Sequence, residues 1–298
     1  MASATPQYEF LLVERTEDGL EVLTLNRPNA MNACNYRMLV ELREHFEALR
    51  YELSVRVVII RGAGRGFCTG MDMKEGASAS NREAAKEDPS LKLKFQSSYF
   101  GNHWWSDVVR KMRACPQPII ACVHGWAMGG GFALALAADI RMAAAGTKFN
   151  VQMIRIGMSG GDVGISYALP RTVGHSVAAE LMYTGDMITA ERGERVGLVS
   201  GVYADAEEME RAAKGMAQRM LRANADGLRF TKECLRLSVD APSFEAALAV
   251  EDRQQMLMAR TSKEHRNRVS DFANKRQSDS ASSSIFGAAQ QEPSHSKL

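Results

Sequence analysis

The chain has few of the features that assign a function at sight. Its five cysteines, Cys34, Cys68, Cys115, Cys122 and Cys234, are scattered and odd in number, with no C-x-x-C spacing. No disulfide framework can be read from them, and they fit small buried apolar residues in a reducing compartment. The six histidines are equally dispersed, and no H-E-x-x-H or comparable cluster occurs, so no metal is expected. No apolar run approaches the length that crosses a bilayer, so no membrane insertion is expected. The first residues, Met1 to Pro6, lack the basic and apolar regions of a signal peptide. A net charge of +2 is too small to make nucleic acid or a membrane surface the main partner. Nor is a nucleotide loop present. Gly62-Ala63-Gly64-Arg65-Gly66 has the spacing G-x-G-x-G, not G-x-G-x-x-G, and no Gly-Lys-Ser/Thr follows.

What is present is an ordinary globular composition, 45% apolar and 24% charged over 298 residues, organised around one stretch. The apolar run Ile119 to Val123 leads into Gly125-Trp126-Ala127-Met128-Gly129-Gly130-Gly131, and the apolar helical run Phe132 to Ala138 leads out. Three glycines at a strand-to-helix junction clear side chains from the backbone and let a ligand approach it. Free N–H groups in a first helical turn favour negative charge, which suits an oxyanion. A tight turn with close helix–strand packing is the plainer account of the same residues.

Along the chain, Tyr8 to Val13 and Leu20 to Leu25 read as strands around an Asp18-Gly19 turn, and Asn35 to Arg50 as an amphipathic helix. Val55 to Ile60 reads as a short apolar run of buried-strand type, and Pro118 to Val123 and Asp139 to Ala144 read as further strands. Residues 76 to 98 read as a mobile insertion. Phe100 to Arg113 reads as a helix, with Trp104 and Trp105 either in the core or on an apolar tunnel. The glycine-rich turn Gly157 to Gly164 opens a helical stretch, Ile165 to Leu169, punctuated by Pro170. Helices follow at His175 to Tyr183 and Ala190 to Val196, then a last strand at Leu198 to Tyr203. Asp205 with Glu208 forms a capping box that opens a helical region. The expected domains are therefore a strand–helix core over 1–204, a helical oligomerisation region over 205–276, and a flexible tail over 277–298. The tail ends in Ser296-Lys297-Leu298, which matches a peroxisomal address read by an import receptor, and peroxisomal localisation is expected.

Four motifs fall in order: Leu25-Asn26-Arg27-Pro28 with Asn32-Ala33, Gly66 to Lys74, Gly125 to Gly131, and Arg192 to Val199. In these the chain resembles the crotonase family, the enoyl-CoA hydratase/isomerase superfamily, over roughly residues 8 to 275. Among its members, the peroxisomal isomerases are the expected closest group. The resemblance implies an α/β fold of ββα turns wound into a spiral, with a helical C-terminal region that builds trimers, often paired into hexamers. It implies an acyl-CoA thioester as substrate and no cofactor beyond the coenzyme A of that substrate. It places the two main-chain donors for the thioester oxygen at Met71 and Gly130. Coenzyme A would lie against Arg27, Ala30, Met31 and the segment Thr69, Met71, Asp72, Met73, Lys74, with Lys74 as a phosphate partner. For Arg27 and Lys74 an ordinary solvated charge is an equal account.

The chain departs from the family where hydratases carry two glutamates. By resemblance those positions are Ala133 and Met153, neither of which can move a proton. The remaining acid is Asp162, where the resemblance places a catalytic glutamate of Δ3-Δ2-enoyl-CoA isomerases, with an aspartate of dienoyl-CoA isomerases close by. One base that returns the proton it took suits double-bond isomerisation. Asp162 as a helix cap is the structural alternative. Three competing functions stay open: a 2-enoyl-CoA hydratase using Asp162 and a water, a thioester hydrolase using Cys68 with His124, and a non-catalytic acyl-CoA-binding protein.

Overall fold

The computed structural model describes residues 6–74 and 98–272, and the side chains of 98–102 are left aside. The expected insertion at 76 to 98 lies almost wholly outside the described residues, as does the tail. The chain divides into two compact units, Met1–Glu233 and Cys234–Leu298.

The central strands of the first unit, five or six residues each, are buried on both faces. Strand β1 is Leu11–Arg15, β2 Leu20–Leu25, β3 Val57–Gly62, β4 Ile119–Val123, β6 Ile140–Ala144 and β9 Val202–Tyr203. They form one sheet in the order β1-β2-β3-β4-β6-β9, antiparallel at β1–β2 and parallel elsewhere. The side-chain period of two divides each strand between two cores. Val58, Ile60, Ile119 and Ala121 face one layer with Leu42 and Phe46. Val57, Ile59, Ile120 and Cys122 face the other, with Met209, Ala213, Ala217 and Leu221.

Helix α1, Tyr36–Leu49, starts where Asn35 Oδ1 accepts from Met38 N at 3.0 Å. It connects β2 to β3, and α2, Ser98–Ala114, precedes β4. After β4 come the short strand β5, Trp126–Met128, and helix α3, Gly130–Ala137. After β6 come β7, Lys148–Asn150, and helix α4, Gln152–Arg155. These are two successive ββα turns, the expected repeat. Strands β5 and β7 pair in parallel in a second sheet, completed by β8, Ile188–Thr189.

Several boundaries differ from the sequence reading. The first strand begins at Leu11 rather than Tyr8. Helix α5, Ile165–Val173, runs through Pro170 instead of stopping there. The carbonyl that Pro170 cannot reach is that of exposed Ser166, which water can satisfy. Helices α6, His175–Thr184, and α7, Ala190–Arg195, follow as expected. The last strand shrinks to Val202–Tyr203, because Leu198 and Val199 turn into the core instead.

Helix α8, Ala206–Leu221, is capped by Asp205, whose Oδ1 accepts from Glu208 N at 2.7 Å. Glu208 Oε2 reaches back to Ala204 N at 2.9 Å, one residue earlier than in the usual box. The change of character read near residue 204 therefore marks this cap. Helix α8 belongs to the first unit and covers the second face of the sheet, and that unit extends to Glu233. Helix α9, Ala225–Ser238, crosses the division, and α10, Phe244–Thr261, lies in the second unit, with Ser243 capping it through Ala246 N. On α10, Phe244, Leu248, Met256 and Leu257 are exposed.

Candidate active site

The site begins with two backbone segments laid side by side. The residues after β3 pass between the Asn32–Cys34 segment and β5. Cys68 pairs with Ala127: its N donates to Trp126 O at 3.0 Å, and its O accepts from Met128 N at 3.0 Å. Three residues on, Met71 pairs with Cys34, through Cys34 N to Gly70 O at 2.7 Å and Asp72 N to Cys34 O at 3.0 Å. In a parallel bridge of this kind the bonds on Met71's flanks use its neighbours' groups. Its own N–H points to the other side, away from Cys34.

On that other side lies the start of α3. A Cβ built on Gly70, whose φ is +91°, would be 3.1 Å from Gly130 N and 2.8 Å from Met128 O. Gly70 is glycine for both reasons, its backbone angle and this approach. Gly130 N is in the first turn of α3, where the helix supplies no acceptor for it. Met71 and Gly130 thus stand on adjoining segments at one spot, and both line the same cleft. All eight residues of α3 are buried, so the turn that opens it rests on a helix packed into the core. A Cβ on Gly131 would sit 2.1 Å from Cys68 O, which fixes how closely α3 and the 68–71 segment approach.

The spot opens into a cleft of about 370 Å³. Its walls are apolar: Met73, Trp105, Met128, Met153, Ile156, Met158 and Val163. Thr69, Gln152 and Asp162 are its polar side chains, and Asp162 is the one ionisable group among the described residues that line it. Trp104 and Trp105 divide their roles, as neighbours on a helix must. Trp105 lines the cleft, while Trp104 packs edge-on to Tyr36 at 5.2 Å and under Arg43 at 4.6 Å.

Asp162 is half-buried in the turn before α5. Burial pushes its carboxyl above the usual carboxylate range, and a bond from Val163 N to Oδ1 at 2.8 Å offsets part of this. The N-cap position of α5 is Gly164, and Ile165 N donates to Asp162 O at 2.8 Å. Val163 holds a φ of +43°, an uncommon angle for a β-branched residue and a sign of local strain beside the carboxylate.

Of the residues expected to touch coenzyme A, Thr69, Met71, Met73 and Gly130 line the cleft. Arg27, Ala30, Met31, Asp72 and Lys74 do not. Arg27 Nη1 donates to Asp72 Oδ2 at 2.9 Å, with both side chains largely buried, and its guanidinium lies over Phe10. Met31 O accepts from Thr69 N at 3.2 Å. Asn32, fully buried, accepts from Arg27 N at 2.8 Å and donates to Ala63 O and Gly66 O at 2.8 Å each. These residues lace the segments that carry Met71. Lys74 is exposed, its N bonded to Asp72 Oδ1 at 3.0 Å.

The Cys68–His124 pairing does not form. Cys68 Sγ donates to Asn32 O at 3.1 Å and lies 3.8 Å from Cys34 Sγ, while His124 Nε2 meets Gly64 O at 2.9 Å. Ala133 and Met153 are both buried, and Met153 lines the cleft without an acid or base to offer. Sequence reasoning missed Gln152, Ile156 and Met158. They lie on a four-residue helix and the turn after it, too short for a periodic signal.

A ββα spiral whose glycine-bearing segments border an apolar cleft suits a ligand with a polar oxygen and an apolar chain. Likeness to known proteins gives the class. The family model described as enoyl-CoA hydratase/isomerase matches residues 15–282, and the chain belongs to that family. The probable enoyl-CoA hydratase echA12 of Mycobacterium bovis is 38% identical over 248 residues, covering 83% of this chain and 84% of that protein. A solved enoyl-CoA hydratase of Mycobacterium smegmatis superposes with a TM-score of 0.76 at 29% identity, covering 89% of this chain and 96% of the other. A monofunctional enoyl-CoA isomerase of the same organism superposes at 0.64 and 35% identity, covering 80% and 98%. These relatives are bacterial.

Proposed function

We propose that the protein moves the double bond of a 3-enoyl-CoA into conjugation with its thioester. Asp162 removes a proton from C2. The electron pair shifts onto the thioester oxygen, where the Met71 and Gly130 N–H groups receive it. The carbonyl then re-forms, the double bond moves to C2–C3, and Asp162 returns the proton at C4. Atoms and charge balance with one carboxylate and no water. The observation that carries this reading is the single ionisable side chain, among the described residues, in a cleft that Met71 and Gly130 also line. Its raised pKa suits a group that must both take and give a proton.

Hydration is the second reading, favoured by relatives that bear a hydratase name. It ordinarily uses two carboxylates on one water, and Ala133 and Met153 supply neither. Purified protein given a 3-enoyl-CoA should raise the conjugated-thioester absorbance. Given a 2-enoyl-CoA, it should leave that absorbance unchanged. Loss of absorbance from the 2-enoyl-CoA, with no gain from the 3-enoyl-CoA, reverses the assignment.

Two further expectations belong to this proposal. The exposed apolar side chains of α10 support assembly into trimers, which light scattering measures. Ser296-Lys297-Leu298 supports peroxisomal import, which a fluorescent fusion of the full chain reads as punctate against diffuse signal.

A further inference from the structure

Gln152 is a polar residue in an apolar wall, and the structure fixes which end of its amide is spoken for. Gly185 O can only accept a hydrogen bond. It takes one from Asn150 Nδ2 at 3.2 Å, so the Asn150 amide must present its NH₂ on that side. The same Nδ2 donates to Gln152 Oε1 at 2.8 Å. Gln152 must therefore present its oxygen to Asn150, and its own NH₂ is left over. Asn150 is 1% exposed, so this orientation is set from within the core. Asn150 O in turn accepts from Gly129 N at 3.1 Å, which ties the pair to the donor turn. A Cβ on Gly129 would lie 3.5 Å from Gln152 Cβ. The root of the Gln152 side chain thus lies near the Gly129 turn, and the residue lines the cleft. Among the described residues no protein group accepts from Gln152 Nε2.

We propose that Gln152 is a specificity-determining residue that donates to an oxygen on the acyl chain, a few carbons from the thioester. The substrate class is then an acyl-CoA bearing a keto or hydroxyl oxygen, rather than a plain hydrocarbon chain. The inference rests on the acyl-CoA reading of the cleft and adds to it. A plain chain that fills the cleft displaces water from the Gln152 NH₂ without replacing its hydrogen bond, and sites with such a donor discriminate against ligands that lack the acceptor.

The test is calorimetric titration of the full chain with hexanoyl-CoA, 4-oxohexanoyl-CoA and 5-oxohexanoyl-CoA. The better of the two oxo compounds should bind about tenfold tighter than hexanoyl-CoA, the ratio one neutral hydrogen bond supplies. Gln152→Met, close in volume, should erase that advantage while hexanoyl-CoA binds as well as before or better. Gln152→Leu repeats the measurement if the methionine variant melts early. Equal binding of all three compounds to the unaltered protein overturns the inference, as does an advantage that survives both substitutions. Failure of hexanoyl-CoA itself to bind overturns the acyl-CoA reading instead, and is distinguished by that control.

Discussion

Asp162→Asn should lower kcat on a 3-enoyl-CoA by about 10²- to 10⁴-fold, the range a positioned acid–base group contributes, while acyl-CoA affinity is retained. The amide keeps the size of the carboxyl and cannot carry the proton. Titration with a saturated acyl-CoA separates binding from turnover. Full activity in the variant would remove Asp162 from the chemistry. The pH profile gives a second reading of the same group. Only the carboxylate can take a proton from C2, so kcat/KM should fall as pH drops through the folded-state pKa. Because burial raises that pKa, the acid limb should lie above the ordinary carboxylate range. The stability sign runs the other way. A carboxyl whose pKa is raised on folding favours the fold below its unfolded pKa, and that contribution is lost as pH rises through the folded one. At neutral pH the asparagine variant should therefore melt no lower than the parent. An inactive protein of undiminished stability is the signature of a group kept for its chemistry.

Gly131→Ala should be nearly as damaging by a different route. Its Cβ would meet Cys68 O at 2.1 Å and Cys68 C at 2.6 Å, both main-chain atoms that no rotamer change can move. Relief must come from parting α3 and the 68–71 segment, which separates the Met71 and Gly130 donors. Losing one such donor costs about 3 kcal/mol, or 10²- to 10³-fold in kcat, and a drop in melting temperature should accompany it. Gly146→Ala is the control. Its φ of +74° makes alanine unfavourable by about 1 kcal/mol, but nothing lies within 4 Å of the new methyl group. That variant should lose a little stability and no activity. Unchanged turnover in Gly131→Ala would show that the two donors need not be held so near.

The middle of the large sheet was readable because β4 and the first four residues of β3 are continuous apolar runs, and such runs occur where both faces are covered. The amphipathic α1 was readable from Met38, Leu42, Phe46 and Leu49 at helical spacing, all of them buried. Strands β5 and β8 were not, because three and two residues carry no periodicity and owe their pairing to β7. At the site, the triple-glycine turn pointed to a close main-chain approach, and the resemblance to the crotonase family supplied Met71 and Gly130 as donors. Asp162 stood out as an acid within a glycine-rich turn. Arg27 and Asp72 read as separate coenzyme A contacts, since nothing local shows that residues 45 apart in sequence will meet. Gln152 was invisible for the same reason, its meaning depending on a carbonyl 33 positions later, at Gly185.

The indole of Trp105 has a consequence for its neighbour across the cleft. A methyl group on Gly130 would come within 2.6 Å of that ring, so the glycine is demanded by the wall of the chamber as much as by the ligand. Positions 105 and 130 are thereby tied in what they tolerate. Shrinking the ring would license a side chain at 130, and keeping the ring forbids one.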